Sequence, residues 1–346
     1  MVIQLSPKIW EAALAGDQTL QKEINRLLIR VADDWHKLYI DDLELVDKII
    51  GSSIIANCYE MLLKKTSRKS IDRASTKPLL ITQQNHIQNN KQASGVQTFW
   101  EEHLMVETQS DGNIVRFVAI EAIETYLCEP LEILLENASS DECFLRNIFN
   151  LVIKHNALQQ PTFEELKQQR RIKVEHGGGS SIRSELERRK HPVRLVCLID
   201  SDKKYPNDTQ NASEINKHTT LCNEKQFQLW VLSNREIENY LPDKVLSQWL
   251  QEISFLYEHD YFKAQFSAEQ KRYFDMKKGI KPNDFNDPNI QKLYKQQYEN
   301  NNTTIEGFGK EVYQAFDWLH ICSKNDIDGD HWQEFEDIVT TIVTFL

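Results

Sequence analysis

The run Val193-Arg194-Leu195-Val196-Cys197-Leu198-Ile199, closed by Asp200-Ser201-Asp202, restricts the fold of this chain more than any other segment. Short aliphatic and β-branched runs suit a strand buried on both faces, the condition of a parallel sheet covered by helices on each side. In an open α/β sheet the carboxyl ends of the strands border a crevice, so Asp200 and Asp202 are expected to point into it. Glu136, Glu236 and Glu238 follow two further apolar runs in the same way. Carboxylates gathered at one crevice repel each other unless a hard cation lies between them, so the pattern points to a divalent-metal site built from oxygen ligands.

The flanking sequence alternates as such a sheet requires. Residues 131–135 read as a strand, 140–154 as a helix, 171–174 as a strand, 180–189 as a helix, 211–224 as a helix, 227–232 as extended chain and 235–253 as a helix. This predicts an α/β fold, a mostly parallel sheet flanked by helices. Beyond residue 254 the strands are expected to stop, and aromatic-rich helices to close the domain. Before it, a helix-like stretch spans 118–127.

The first 69 residues read differently. Ser6-Pro7 is a good N-cap with a first-turn proline, and Leu20, Ile24, Leu27, Leu28 and Val31 recur at helical spacing. An N-terminal helical region is therefore expected, free of catalytic residues and suited to self-association as a homodimer or to docking a partner. The amide-rich stretch 82–94 reads as a linker. The expected domains are 1–95, helical region plus linker, and 96–346, sheet plus C-terminal helices.

Composition narrows the chemistry. The six cysteines are scattered without a CxxC pair, which argues against a zinc site or a disulfide framework and leaves oxygen ligands. A formal net charge of −11 argues against a generic nucleic-acid coat, though not against an enzyme whose acidic metal site acts on phosphates. Residues 161–190 and 261–300 each carry eight Lys/Arg against five Asp/Glu, either phosphate-facing patches or solvated helix faces. No run approaches the roughly 18 apolar residues of a membrane span, and the start lacks the pattern of a signal peptide, so a cytoplasmic protein without a membrane partner is expected.

The order strand-Glu136-Asn137, Asp141-x-x-Phe144-Leu145, Gly177-Gly178-Gly179-Ser180, Leu198-Ile199-Asp200-Ser201-Asp202 and Arg235-Glu236-Ile237-Glu238-Asn239-Tyr240-Leu241 resembles the Toprim domain. The variant it is most similar to is that of OLD-type (overcoming lysogenization defect) nucleases and related prokaryotic antiviral defence proteins. The resemblance covers about residues 129–250. It implies a Mg²⁺- or Mn²⁺-dependent nuclease that hydrolyses phosphodiester bonds of DNA or RNA, tRNA included. Full-length OLD-type nucleases carry their own ATPase, whereas this chain has no Walker A loop, so a required ATPase sensor would be a separate protein. A rival expectation is a nuclease-inactive Toprim-fold module that binds or regulates by docking onto such an ATPase.

Under the resemblance Glu136 is a metal ligand or general base, and Asp200 and Asp202 are the main ligands. Asp141 either joins a second metal or is an ordinary acidic first-turn residue favoured by the helix dipole. Glu236 and Glu238, two apart, do not share a helical face, so one is expected at the site and the other in solvent. Lys278, or its neighbour Lys277, is the expected cation for the transition state. The turn at 176–181 either lets backbone amides approach a phosphate or is a plain helix cap. Tyr240 is expected to pack against the acidic site instead of acting as a nucleophile. Asp326-Ile327-Asp328-Gly329-Asp330 opens like an EF-hand, but its sixth position is His331 and its twelfth Asp337, which leaves a helix-capping turn.

Overall fold

The computed structural model describes residues 2–32, 37–40, 42–50, 52, 79–84, 87, 103–108, 114–156, 160–178, 181–189, 194–210, 212–225, 227–254, 259–300 and 304–346. The chain divides into two compact units, Met1–Leu131 with Thr341–Leu346, and Glu132–Thr340.

The first unit runs β1 (Val2–Leu5), α1 (Pro7–Leu14), α2 (Gln18–Ala32), β2 (Lys37–Tyr39), α3 (Leu43–Ile50), β3 (Leu79–Thr82), β4 (Leu104–Thr108), β5 (Ile114–Ala119), a 3-10 turn at Ile120–Ala122 and α4 (Ile123–Cys128). The expected helices are there. Ser6 is the extended N-cap of α1 with Pro7 in its first turn, and the apolar stripe of α2, Leu20 to Val31, is buried. The expectation of a purely helical region fails, because β1, β2 and β3 build a sheet of order β2-β1-β3-β5-β4, parallel except at the β4 edge. Strands of three or four residues are too short to display a period. Their partners are also far off in sequence, as in Ile3 opposite both Leu38 and Leu79. Residues 104–119, expected in the second domain, complete this first sheet through β5, where Phe117 faces Leu80 of β3. The division therefore falls near 131 instead of 95, and most of the expected linker lies outside the described residues.

The second unit begins with β6 (Leu131–Leu135), α5 (Ser140–His155), α6 (Phe163–Gln168), β7 (Ile172–His176), α7 (Ile182–Arg188), β8 (Leu195–Ile199), α8 (Ala212–Lys225), β9 (Gln228–Val231), a 3-10 turn at Ile237–Tyr240 and α9 (Asp243–Ser254). Its sheet has the order β7-β6-β8-β9, with β6, β8 and β9 parallel. Alternate residues of β8 face opposite sides. Leu195, Cys197 and Ile199 join Leu134 of β6 in a core closed by Ile182 and Leu186 of α7 and Cys222 of α8. On α5, Phe144 meets Phe316 at 5.2 Å and Phe335 at 5.9 Å between ring centroids, and Tyr240 at 5.6 Å. All five residues of β8 are buried, as its unbroken apolar run demands.

Beyond α9 come α10 (Asp260–Lys263), α11 (Ala268–Tyr273), β10 (Gly279–Ile280), α12 (Pro288–Leu293), α13 (Lys295–Glu299), β11 (Ile305–Glu306), a 3-10 stretch at Lys310–Ile321 and α14 (Gly329–Phe345). The all-helical expectation for this region needs one correction: β10 and β11 form a small antiparallel pair. Among the described residues, no helix is long and apolar enough to cross a membrane.

Candidate functional site

Three parallel strands end side by side. Leu135 of β6 lies opposite Leu198 of β8, and Ile199 of β8 opposite Val231 of β9, so Glu136, Asp200 and the segment after Val231 leave the sheet at one edge. Glu136 reaches across it, its Oε2 accepting the Asp200 N–H at 3.3 Å. Asp141, in the first turn of α5 and 4% exposed, folds back to accept the Asn137 N–H at 2.9 Å and the Ser140 hydroxyl at 2.9 Å.

The segments after β8 and β9 are stitched together. Ser201, fully buried between the two aspartates, donates its hydroxyl to the Asn234 carbonyl at 2.6 Å. The Asp202 N–H donates to the Arg235 carbonyl at 2.8 Å, and the Ile237 N–H to Asp200 Oδ1 at 3.1 Å. Glu236 caps the 3-10 turn that follows, its N–H donating to Asn239 Oδ1 at 3.0 Å. Because the chain here is extended and then 3-10, not α-helical, Glu236 and Glu238 are both buried. The expectation that one of them faces solvent does not hold.

A lysine accounts for this pairing. Lys277 Nζ lies 2.6 Å from Glu236 Oε2 and 3.1 Å from Glu238 Oε2. Its backbone is confined by two glycines: a Cβ on Gly307 would stand 2.6 Å from the Lys277 carbonyl carbon, and one on Gly279, whose φ is +75°, 1.9 Å from the Ile305 oxygen. Arg235 secures the same hairpin through Asp275 at 2.8 Å, while the Asn239 amide donates to the Lys271 and Phe274 carbonyls at 2.7 and 2.9 Å. Lys278, the expected cation, is exposed, and its N–H donates to Asp275 Oδ1 at 2.7 Å. The structure thus brings Lys277, not Lys278, to the carboxylates.

Crowded carboxylates in a desolvated crevice hold protons tightly. Burial raises Glu136 to about 7, opposed by the Asp200 N–H and reinforced by Asp141 and Asp202. Burial likewise raises Glu238 to about 7, with Lys277 opposing and Glu236 adding to the rise. Asp200 is raised well above the usual carboxylate range by burial and then by Asp141, Glu136, Glu238 and Glu236; Asp141 is raised by burial. Burial works against the charge of Lys277, yet Glu238 and Glu236 carry its pKa above the usual lysine value.

No protein-family model, curated protein or solved structure matches this chain. What the site can do therefore rests on its own chemistry. Its ligand atoms are all carboxylate oxygens, the donors of hard divalent cations. Neither buried oxygen of Glu238 has a hydrogen-bond partner among the described residues, and only Oε2 has the ion pair with Lys277. In charge and donor type the residues fit Mg²⁺ or Mn²⁺. In placement they are not a finished cage: among the described residues, no three His, Cys, Asp or Glu side chains gather about one point as metal ligands.

The remaining candidates fall on either side of this cluster. Asp202 is exposed at its rim in the left-handed conformation, φ 53°, with its charge felt at Glu136. The Gly177 N–H donates to the Leu135 carbonyl at 2.7 Å, which sets the glycine turn beside the Glu136 strand; Gly179 and Ser180 lie outside the described residues. Tyr240 is 1% exposed, with its hydroxyl engaged by protein groups, which removes it as a nucleophile. Asp328 precedes α14 and accepts the Asp330 N–H at 2.9 Å, as a capping turn does. Sequence reasoning missed Ser201, Asn234 and Asn239. The side chains of Ser201 and Asn239 act on distant backbone and that of Asn234 on the distant His331 ring, and no spacing pattern announces that.

Proposed function

We propose that the second unit is a Toprim-like, divalent-metal-dependent nuclease that hydrolyses phosphodiester bonds of DNA or RNA. By family analogy it serves as an effector of prokaryotic antiphage defence with a separate ATPase sensor. One observation carries the reading: Glu136, Asp200, Glu236 and Glu238, from segments that follow neighbouring strands, and Asp141 at the start of α5 lie at one sheet edge, where burial and mutual repulsion raise Glu136 and Asp200. Glu136, Asp141, Asp200 and Asp202 would hold Mg²⁺ or Mn²⁺, which when bound polarises a phosphoryl oxygen and acidifies water. Glu136, which exchanges its proton near neutrality, is suited to accept one from the attacking water. Lys277, confined on its hairpin, pairs with Glu236 and Glu238 and supplies positive charge for the developing phosphorane oxygens.

A second reading, a nuclease-inactive module docking on an ATPase, draws on the fact that Lys277 already pairs with two carboxylates and, among the described residues, no three-ligand group stands ready. Titrating Mn²⁺ and Mg²⁺ with plasmid DNA and tRNA, beside the Asp200→Ala variant, separates the two. Metal-dependent cutting that this substitution abolishes supports the nuclease. Metal-independent behaviour identical in both proteins overturns it.

A further inference from the structure

The acidic segment after β9 is also held by a half-buried polar cluster on α14. Tyr240 donates its hydroxyl proton to Glu334 Oε2 at 2.7 Å and accepts the N–H groups of Ser233 at 3.1 Å and Asn234 at 3.2 Å. A phenol has one proton to give and two lone pairs, so this set uses its full capacity. Glu334 in turn accepts the Ser233 N–H at 3.0 Å, the Ser233 hydroxyl at 2.5 Å and the Trp230 indole N–H at 3.3 Å. His331, one turn earlier on α14, pairs with the Asn234 amide at 2.8 Å. One helix thus grips both the end of β9 and the start of the acidic turn.

The grip extends to the other acidic segments. Asn234, whose N–H Tyr240 accepts, offers its carbonyl to the Ser201 hydroxyl between Asp200 and Asp202, and the next residue, Arg235, accepts the Asp202 N–H. The Tyr240 ring lies 5.6 Å from Phe144, on the helix that carries Asp141. It also lies 5.7 Å from Phe335 and 4.8 Å from His331 on α14. The segments that carry Asp141, Asp200, Asp202, Glu236 and Glu238 all meet Tyr240 directly or through one residue. A hydrogen-bond network of this kind, complete at the Tyr240 hydroxyl, favours one arrangement of the groups attached to it.

We propose that Tyr240 and Glu334 are positioning residues of the acidic site, which act through Ser233, Asn234 and Ser201 to fix how Asp200, Asp202, Glu236 and Glu238 stand to one another. The inference rests on the metal reading for its functional meaning, but the clamp itself can be measured without metal. Tyr240→Phe removes only the hydroxyl and keeps the ring contacts; Glu334→Gln, the second variant, keeps the shape and removes the charge-assisted acceptor. Hydrogen exchange on the full chain would compare each folded variant with wild type. Protection at the Asp202 and Ile237 amides is expected to fall about tenfold or more, while the β8 amides of 195–199 stay protected. Unchanged protection at Asp202 and Ile237 in a folded variant would overturn the clamp.

Mn²⁺ titration of the same proteins by calorimetry then reads the function. The expected result is about tenfold weaker binding in either variant, with Trp230→Phe, which removes no bond to Tyr240, closer to wild type. Equal Mn²⁺ affinity in wild type and both clamp variants, despite faster exchange, would reduce Tyr240 and Glu334 to a fold-stabilising role. A wild-type protein that binds no Mn²⁺ would refute the metal reading instead, and the exchange data alone would then decide the clamp.

Discussion

Glu136→Gln should stabilise the second unit in a pH-dependent way. The side chain is half-buried, and the carboxamide that replaces it retains an oxygen to accept the Asp200 N–H, so shape and hydrogen bond persist while the ionisable group disappears. In the folded protein Glu136 titrates near 7, against a usual value of 4.5, chiefly because burial disfavours the anion. A raised carboxylate pKa means that between these values the folded state holds a proton the unfolded state has lost, so stability falls as pH rises through that window. With these two values, the loss is about 1 kcal/mol at pH 5 and about 3 kcal/mol at pH 8. The variant should therefore gain about 2 kcal/mol on wild type between pH 5 and pH 8. Urea unfolding of both proteins at the two pH values, in a chelator, measures the difference, and titrating groups that do not interact with Glu136 cancel in the comparison. If the advantage of Glu136→Gln at pH 8 exceeds that at pH 5 by less than about 0.5 kcal/mol, Glu136 does not sit in a proton-retaining crevice. The same experiment in saturating Mn²⁺ should raise wild type and leave the variant behind.

Lys277→Met, at pH 8, should cost about 3 kcal/mol, because it strands two buried carboxylates, whereas exposed Lys278→Ala should stay within about 0.5 kcal/mol; chemical denaturation distinguishes the neighbours, and equal effects would contradict the placement of Lys277. Ser201→Ala removes the bond to the Asn234 carbonyl and should destabilise by about 1–3 kcal/mol, seen as a lower urea midpoint. Gly307→Ala, whose Cβ would collide with the backbone of Lys277 and Gly279, should cost about 1–3 kcal/mol and weaken the hold of Lys277 on its carboxylates, measurable as a downward shift of the Lys277 pKa by NMR. Asp200→Ala should abolish metal-dependent cleavage without lowering the melting temperature; a collapsed melt would make the aspartate structural.

Much of the second unit was legible in its residues. The apolar runs that become β6, β8 and β9 are short and stopped by acidic or turn residues; β6 and β8 are buried almost throughout, while β9, at the sheet edge, is half-buried. Helices α5, α7 and α8 fall where the alternation placed them, to within two residues at each end. That Glu136 and Asp200 meet follows from the same local logic, since parallel neighbours deliver their carboxyl ends to one edge. The first sheet was not legible. Val2–Leu5, Lys37–Tyr39 and Leu79–Thr82 carry too few residues for a period, and only pairing across some 75 residues makes Ile3 and Leu79 neighbours.

What the sequence determined by itself was the alternation of buried strands and amphipathic helices, and hence the presence of carboxylates at strand ends, because those depend on spacing and polarity within a few residues. What only the tertiary structure decided was which charges meet. Lys277 and Lys278 are identical in composition and adjacent in sequence, yet the crossing of Gly279 and Gly307 turns one toward Glu236 and Glu238 and leaves the other in water. Glu334, nearly a hundred residues from Tyr240, enters the site's support only because α14 lies against the end of β9. Long-range electrostatics and hydrogen bonds depend on distances that chain closure sets, and no local pattern encodes them.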